Sequence, residues 1–173
     1  LACDVSYVPP VADLFLEPMD LSETAIVIAV QPGNPKGVKT TADLTAEGLR
    51  VGLCNPPQST LGALTKAMLE QAGIYGQVMK NVRTQTPTAD VLVNQAVLGT
   101  LDAVIVYEAN LSQVREKLAI VRIPSAKAVQ PFAIGKASPH KRLVQRLRDA
   151  LCSEESRRHY ESLGFTWRGE GAK

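Results

Sequence analysis

The sequence is poor in the residues that build metal centres and disulfide frameworks. It contains 2 histidines and 3 cysteines in 173 residues. The cysteines are odd in number and widely spaced, at Cys3, Cys54 and Cys152, which argues against a disulfide framework. Neither histidine has a neighbour at a spacing typical of metal ligands. These shortages argue against a disulfide-stapled scaffold and against a zinc module.

Strong net charge and long apolar runs are also missing. The 19 basic and 17 acidic residues give a net charge of +2, whereas nucleic-acid binding needs clustered basic residues. One basic run, residues 136–148, has apolar residues at helical spacing, so we interpret it as the solvated face of an amphipathic helix. No apolar run approaches the roughly 20 residues that span a bilayer.

The remaining composition is that of an ordinary globular protein. Hydrophobic residues make up 45% and charged residues 21% of the chain, which is long enough for one domain or two small lobes. Because it begins at Leu1 without methionine, we expect a processed or truncated piece. Cys3 could be the lipidated cysteine of a bacterial lipoprotein signal, but a cysteine at a strand end is the preferred interpretation.

A strand, a turn and a helix start follow one another in residues 51–66. Val51 to Cys54 are apolar or small, as in a buried parallel strand. Prolines 56 and 57 end the strand, and Ser59 or Thr60 supplies an N-cap hydroxyl for the helix that follows. Free amides and the positive end of the helix dipole make such a turn a ready anion site.

A second unit of this kind follows directly. Residues 81–85 are predicted as a strand, with Thr86 as the N-cap of the next helix and Asp90 in its first turn. Residues 102–107, which are apolar after Asp102, are predicted as a further buried strand that ends in Tyr107. Ligands of open α/β sheets bind outside the carboxyl ends of strands. The pattern therefore places two helix starts and one tyrosine hydroxyl at a single sheet edge.

Alternating strands and helices predict an α/β fold with mainly parallel sheets. The other predicted elements are strands at 24–31 and 118–123, an extended segment at 129–135, and helices at 39–44, 109–118, 140–154 and 155–163.

The order of several motifs resembles that of the molybdate-binding proteins, the periplasmic receptors of an ABC importer. The motifs are Arg50-Val-Gly-Leu-Cys-Asn-Pro56, Leu61-Gly-Ala-Leu-Thr-Lys66, Gly99-Thr-Leu-Asp-Ala-Val-Ile-Val-Tyr107 and Gly164-Phe-Thr166. The resemblance implies the type II periplasmic-binding fold, with two lobes and a first lobe that lacks the family's N-terminal strand and helix. It implies that residues 1–29 belong to lobe 1, residues 30–124 form lobe 2, and residues 125–173 return to lobe 1.

The same resemblance implies a tetrahedral oxyanion, molybdate or a similar anion, held between the lobes by neutral donors. In the family, two serines come from lobe 1, and two helix-start amides and a tyrosine come from lobe 2. The implied ligand-binding residues are Ser59, Thr60, Leu61, Thr88, Ala89 and Tyr107. The tungstate-binding branch uses carboxylates at these helix starts and is disfavoured, because Ser59 and Thr88 carry none. No metal or other cofactor is expected.

The leading hypothesis is a periplasmic or extracytoplasmic solute-binding domain, with or without a lipid anchor. Its expected partners are the membrane subunits of an ABC transporter. The alternative is the ligand-sensing effector domain of a transcription regulator with the same fold. An enzyme is disfavoured because no nucleophile–base set is evident. Cys54 has no histidine near it in sequence and is interpreted as a buried strand residue.

Overall fold

The structure, a computed structural model, describes residues 4–169 and contains two compact units. Unit 1 combines the residues up to Thr24 with those from Lys127 onward, and unit 2 runs from Ala25 to Ala126. The strands are β1 Met19–Val30, β2 Val51–Cys54, β3 Val82–Thr86, β4 Ala103–Tyr107, β5 Ala119–Phe132 and β6 Thr166–Trp167. The α-helices are α1 Thr60–Gln71, α2 Tyr75–Asn81, α3 Ala89–Val97, α4 Lys141–Leu151 and α5 Glu154–Ser162. Short 3₁₀ helices cover Val5–Tyr7, Pro9–Leu14, Thr41–Thr45 and Glu108–Leu111.

The sheet order is β3-β2-β4-β1-β5, with β6 also paired to β1. β2 is parallel to both β3 and β4, as expected for strands joined through helices. β1 is antiparallel to β4 and to β6. The expected parallel arrangement is found for β2, β3 and β4, whereas β1 is an antiparallel member of the same sheet.

The core of unit 2 follows from its uninterrupted apolar strands. Residues 26–30 of β1 and 103–106 of β4 are all buried, which is the pattern of strands covered on both faces. Helices α1 and α3 cover the sheet with their apolar faces, which include Leu61, Leu69 and Leu92. This packing fixes the positions of the first residues of α1 and α3 relative to the strands of the sheet.

Several element boundaries differ from the sequence prediction. β1 begins at Met19 rather than at residue 24, and β5 is one strand where the sequence predicted two segments. Residues 109–118 were expected to be helical, but only the short 3₁₀ helix Glu108–Leu111 forms there. Helix α2 was not predicted, because its seven residues include Gly76 and give too short a periodic pattern.

Unit 1 contains β6, α4 and α5. Ser153 caps α5 by accepting a hydrogen bond from the amide of Ser156, and Gly164 follows the helix with a positive φ of 87°, as expected for a helix end. The ring of Tyr160 packs against Phe165 and Trp167, with ring centroids 5.6 and 5.3 Å away. No helix within residues 4–169 is long and apolar enough to cross a membrane.

An ion pair links the residue before β2 to the residue before β4. The Arg50 guanidinium lies 2.7 Å from the Asp102 carboxylate, which also accepts the Arg50 backbone amide at 2.8 Å. The hydrogen bonds from Arg50 lower the pKa of Asp102 below its ordinary value. Asp102 therefore has a structural contact at the amino ends of two parallel strands.

We expect Asp102→Asn to lower the free energy of unfolding at pH 7 by about 1–2 kcal/mol, since a charged hydrogen bond is lost and Arg50 is partly solvated. Because the folded-state pKa is depressed, this stabilisation is present above the ordinary aspartate pKa of about 3.9 and is lost as pH falls through the lower folded value. Urea unfolding at pH 7 and at pH 3 measures the free energy of unfolding of the wild type and of the variant. The difference between wild type and variant should shrink at pH 3, and an unchanged difference would contradict the assignment.

Candidate functional site

The parallel register of unit 2 brings the carboxyl ends of β2, β3 and β4 to one edge of the sheet. Cys54 is paired with Thr86, and the amide of Asn55 donates to the carbonyl of Thr86 at 2.8 Å. β4 runs parallel to β2 on its other side. Helices α1 and α3 and residue Tyr107 all follow or end these strands, so they belong to the same edge.

Helix α1 starts with unpaired backbone amides. Ser59 is the N-cap, in an extended conformation, and its hydroxyl accepts the amide of Gly62 at 3.4 Å. Within the part of the chain that the structure describes, no acceptor is found for the amides of Thr60 and Leu61. The Leu61 side chain is buried, whereas Ser59 and Thr60 are half-buried. The start of α1 therefore offers amide donors whose positions are held by a packed side chain.

Gly62 allows the first turn of α1 to lie directly against the end of β2. A Cβ atom at this position would lie 2.6 Å from the carbonyl carbon of Asn55 and 2.7 Å from the carbonyl oxygen of Cys54. Backbone atoms cannot move aside as a flexible side chain can. The close approach of helix and strand thus depends on glycine here.

Helix α3 starts in a similar way. Its N-cap is Thr88, which is exposed and makes no side-chain capping bond, and no acceptor among residues 4–169 is found for the amides of Ala89 and Asp90. The prediction that Thr86 is the N-cap is wrong. Thr86 is the last residue of β3, and its hydroxyl donates to the carbonyl of Thr88 at 2.7 Å. This hydrogen bond supports the turn between strand and helix.

Tyr107 is the last residue of β4 and is half-buried. The segment after it is tied to α3, because the Asn110 side-chain amide donates to the Asp90 carboxylate at 3.2 Å. Sequence reasoning gave Asp90 a role only at the helix dipole and missed this contact, since no local pattern joins residues 20 positions apart. Glu108 forms two hydrogen bonds with Arg122, at 2.8 and 2.9 Å, so its charge is paired.

The groups around Cys54 come from three of these elements, which indicates that the elements lie close together. Burial raises the pKa of the Cys54 thiol, hydrogen bonds with Ser59 and Thr86 oppose that rise, and the charge of Asp90 adds to it. One buried thiol is therefore influenced by the α1 start, the end of β3 and the first turn of α3. A thiol with a raised pKa is a poor nucleophile, which supports its interpretation as a buried strand residue.

This arrangement is suited to binding an anion through neutral donors. Two helix dipoles present their positive ends at one edge, and each carries unpaired amides. Such donors compensate a negative charge without a buried cation. Within residues 4–169 no group of His, Cys, Asp and Glu side chains could hold a metal ion. The structure brings Ser59, Thr60, Leu61, Thr88, Ala89 and Tyr107 to this edge, and their role in ligand binding stays a prediction.

Comparisons with known proteins add independent information. Residues 13–166 match the model of a family described as bacterial extracellular solute-binding protein. The molybdate-binding protein ModA of Mycobacterium tuberculosis is 29% identical over 151 residues, which are 86% of this chain and 56% of that protein. The chain thus spans a little over half the length of this curated relative.

Two solved structures show a similar fold at low sequence identity. PEB3 bound to L-phospholactate has a TM-score of 0.72 at 14% identity, with 86% of this chain and 68% of that chain covered. The periplasmic molybdate-binding protein of Azotobacter vinelandii has a TM-score of 0.68 at 15% identity, with 90% and 71% covered. One of these structures holds L-phospholactate and the other protein is named for molybdate, so the likeness supports the fold and not one anion.

Proposed function

This chain belongs to the bacterial extracellular solute-binding protein family, and we propose that it binds a tetrahedral oxyanion, with molybdate as the first ligand to test. The fold is that of the type II periplasmic-binding proteins. The family is one of solute-binding proteins of transporters and not of enzymes. The proposed setting is extracytoplasmic, and the proposed partners are the membrane subunits of an ABC importer.

The observation that carries this proposal is the pair of helix starts in unit 2. The amides of Thr60, Leu61 and Ala89 lack acceptors among the described residues, and α1 and α3 begin at the same sheet edge. An oxyanion bound there would accept these amides together with the hydroxyl of Tyr107. Ser59 and Thr88, the two N-caps, carry no charge, so they would not repel the anion.

The relatives direct the choice of anion. ModA of Mycobacterium tuberculosis is a molybdate-binding protein by name, and its match covers 86% of this chain. Tetrahedral oxyanions share their shape and acceptor geometry but differ in size, so sulfate, tungstate and phosphate are the comparison ligands. The proposal requires one of these anions to bind more tightly than any organic ligand.

We expect molybdate to raise the melting temperature of the protein, because a ligand that binds only the folded state stabilises it by mass action. At a hundredfold excess over the Kd the gain is about 2.7 kcal/mol, or roughly 5–10 °C for a chain of this size. Tyr107→Phe should weaken affinity about tenfold to a hundredfold, because a hydrogen bond to a charged group is lost. Scanning calorimetry and isothermal titration measure the two effects.

Tyr75→Phe is the matched control, since Tyr75 begins α2 and contacts Lys66, away from the proposed site. It should leave the anion affinity unchanged. If no tetrahedral oxyanion shifts the melting temperature while an organic solute does, the proposal is wrong.

A further inference from the structure

Asp90 places a carboxylate at the start of α3, where the proposed site has otherwise neutral donors. It is the second residue of the helix and directly follows Ala89, whose amide is one of the proposed donors. The side chains of an α-helix lean toward its amino end, so the carboxylate lies on the same side as the free amides of α3. It is exposed and forms no salt bridge with a lysine or arginine of the described residues. A negative charge without a paired cation therefore lies beside the place where we propose that an anion binds.

The contacts of this carboxylate show which way it faces. Its Oδ1 atom accepts a hydrogen bond of 3.2 Å from the side-chain amide of Asn110, which lies three residues after Tyr107. Burial raises the pKa of the Cys54 thiol at the end of β2, and the charge of Asp90 adds to that rise, an effect that weakens with distance. The carboxylate thus lies between the start of α3, the end of β2 and the segment after β4. These three places belong to the sheet edge that carries the proposed site.

The amide of Asn110 is held in an orientation that lowers stability. Its Oδ1 atom is buried and has no hydrogen-bond donor within residues 4–169, and a buried acceptor without a donor is unfavourable. Rotating the amide by 180° would not help, because an oxygen would then face the Asp90 carboxylate and the NH₂ group would be buried without an acceptor. Asn110 therefore donates to Asp90 at the expense of its own oxygen, which indicates that the position of the carboxylate matters.

The second oxygen of Asp90, Oδ2, has no donor among the residues that the structure describes. A fully ionised anion such as sulfate or molybdate offers only acceptors, and its charge would be repelled by the carboxylate. Phosphate keeps at least one proton at pH 7. Its O–H group could donate to Oδ2 while its other oxygens accept the amides at the starts of α1 and α3. A bound proton would thus convert a repulsive contact into a hydrogen bond to a charged group.

We propose that Asp90 is a specificity-determining residue, which favours tetrahedral oxyanions that keep a proton at neutral pH over those that are fully ionised. Asn110 is its positioning residue. Phosphate and arsenate belong to the favoured class, and sulfate, molybdate and tungstate belong to the other. This preference rests on the proposed function, because it concerns the same site. The size of the site acts on every anion as well, so Asp90 sets a ratio of affinities and not the identity of the tightest ligand.

The test is isothermal titration of phosphate, sulfate and molybdate at pH 7 into the wild type, Asp90→Asn and Asn110→Ala. Asp90→Asn should lower the ratio of phosphate affinity to sulfate affinity about tenfold to a hundredfold, the range for one hydrogen bond to a charged group. The ratio of phosphate to molybdate should fall in the same way, because an asparagine amide can donate to either ionised anion. Asn110→Ala should change both ratios in the same direction, which a purely structural role would not do. Circular dichroism shows whether the variants keep their helix content.

Glu47→Gln is the matched control, since it also removes one negative charge from unit 2. Glu47 is exposed and lies four residues before β2, at the amino end of that strand and away from the proposed site. It should leave both ratios unchanged.

Two results would overturn the role of Asp90 while leaving the proposed function intact. One is oxyanion binding with the same affinity ratios in Asp90→Asn as in the wild type. The other is a shift in Glu47→Gln as large as that in Asp90→Asn, which would make net charge and not contact the cause. If none of the three anions binds to the wild type, the proposed function fails and the role of Asp90 fails with it.

Discussion

We expect Ala89→Pro to weaken molybdate binding about tenfold to a hundredfold while the protein stays folded. Proline removes the backbone N–H at the first residue of α3, and that amide has no acceptor among the described residues. Proline is favoured at a first helical position, and Thr88 has the extended conformation (φ −130°, ψ 150°) that a residue before proline prefers. The loss of one hydrogen bond to a charged group costs about 1.5–3 kcal/mol. The substitution therefore tests the amide and not the helix.

Ala89→Ser is the matched control, because it keeps the N–H and adds one atom at a nearly buried position. Isothermal titration gives the affinities, and circular dichroism shows whether both variants retain their helix content. If Ala89→Pro binds molybdate as tightly as Ala89→Ser, the amide is not a ligand and the proposed site is wrong at α3.

The second large effect is expected from Gly62→Ala. The new Cβ atom would lie 2.6 Å from the carbonyl carbon of Asn55, a distance that forces backbone movement at the start of α1. Overpacking of this kind costs about 1–3 kcal/mol, which is roughly 3–10 °C in melting temperature for a chain of this length. The shift of Thr60 and Leu61 should also weaken oxyanion binding, since amide donors act only at hydrogen-bond distance.

Gly76→Ala provides the comparison for this experiment. Gly76 lies within α2 and a Cβ atom there would meet nothing within 4 Å. Alanine is a better helix former than glycine by about 0.5–1 kcal/mol, so this variant should be slightly more stable than wild type. Thermal unfolding of both variants measures the contrast. Equal melting temperatures for the two alanine variants would show that the α1–β2 contact tolerates a methyl group.

Local patterns were sufficient to predict much of unit 2. The strand before α1 and the end of α1 near Gly73 are where the sequence places them, and the N-cap is Ser59, one of the two candidates Ser59 and Thr60. Each depends on residues within one or two turns, such as a hydroxyl before an apolar repeat or a glycine after it. Cys54 is buried, as its place in an apolar strand predicted. These features depend on neighbouring residues, so they can be predicted without knowing which strands and helices pack together.

The errors occurred where contacts far apart in the chain decide the outcome. Thr86 has the side chain of an N-cap, yet pairing with Cys54 makes it the last residue of β3. The prediction of a mainly parallel sheet gave no direction for β1, and its register with β4, which joins Ile26 to Tyr107, is antiparallel. No local propensity encodes strand direction, because it depends on which strands meet in the folded sheet.

The sequence by itself determined the order of the strand–helix units, their hydroxyl-bearing turns and the tyrosine at the end of β4, because hydrophobic period and capping chemistry act over neighbouring residues. Only the tertiary structure decided that Thr86 ends β3, that Asn110 holds Asp90, and that α4 exposes its leucines. These facts depend on packing between residues from about twenty to more than one hundred positions apart. Such packing is settled when the sheet and its helices assemble, since the side chains then compete for the same buried space.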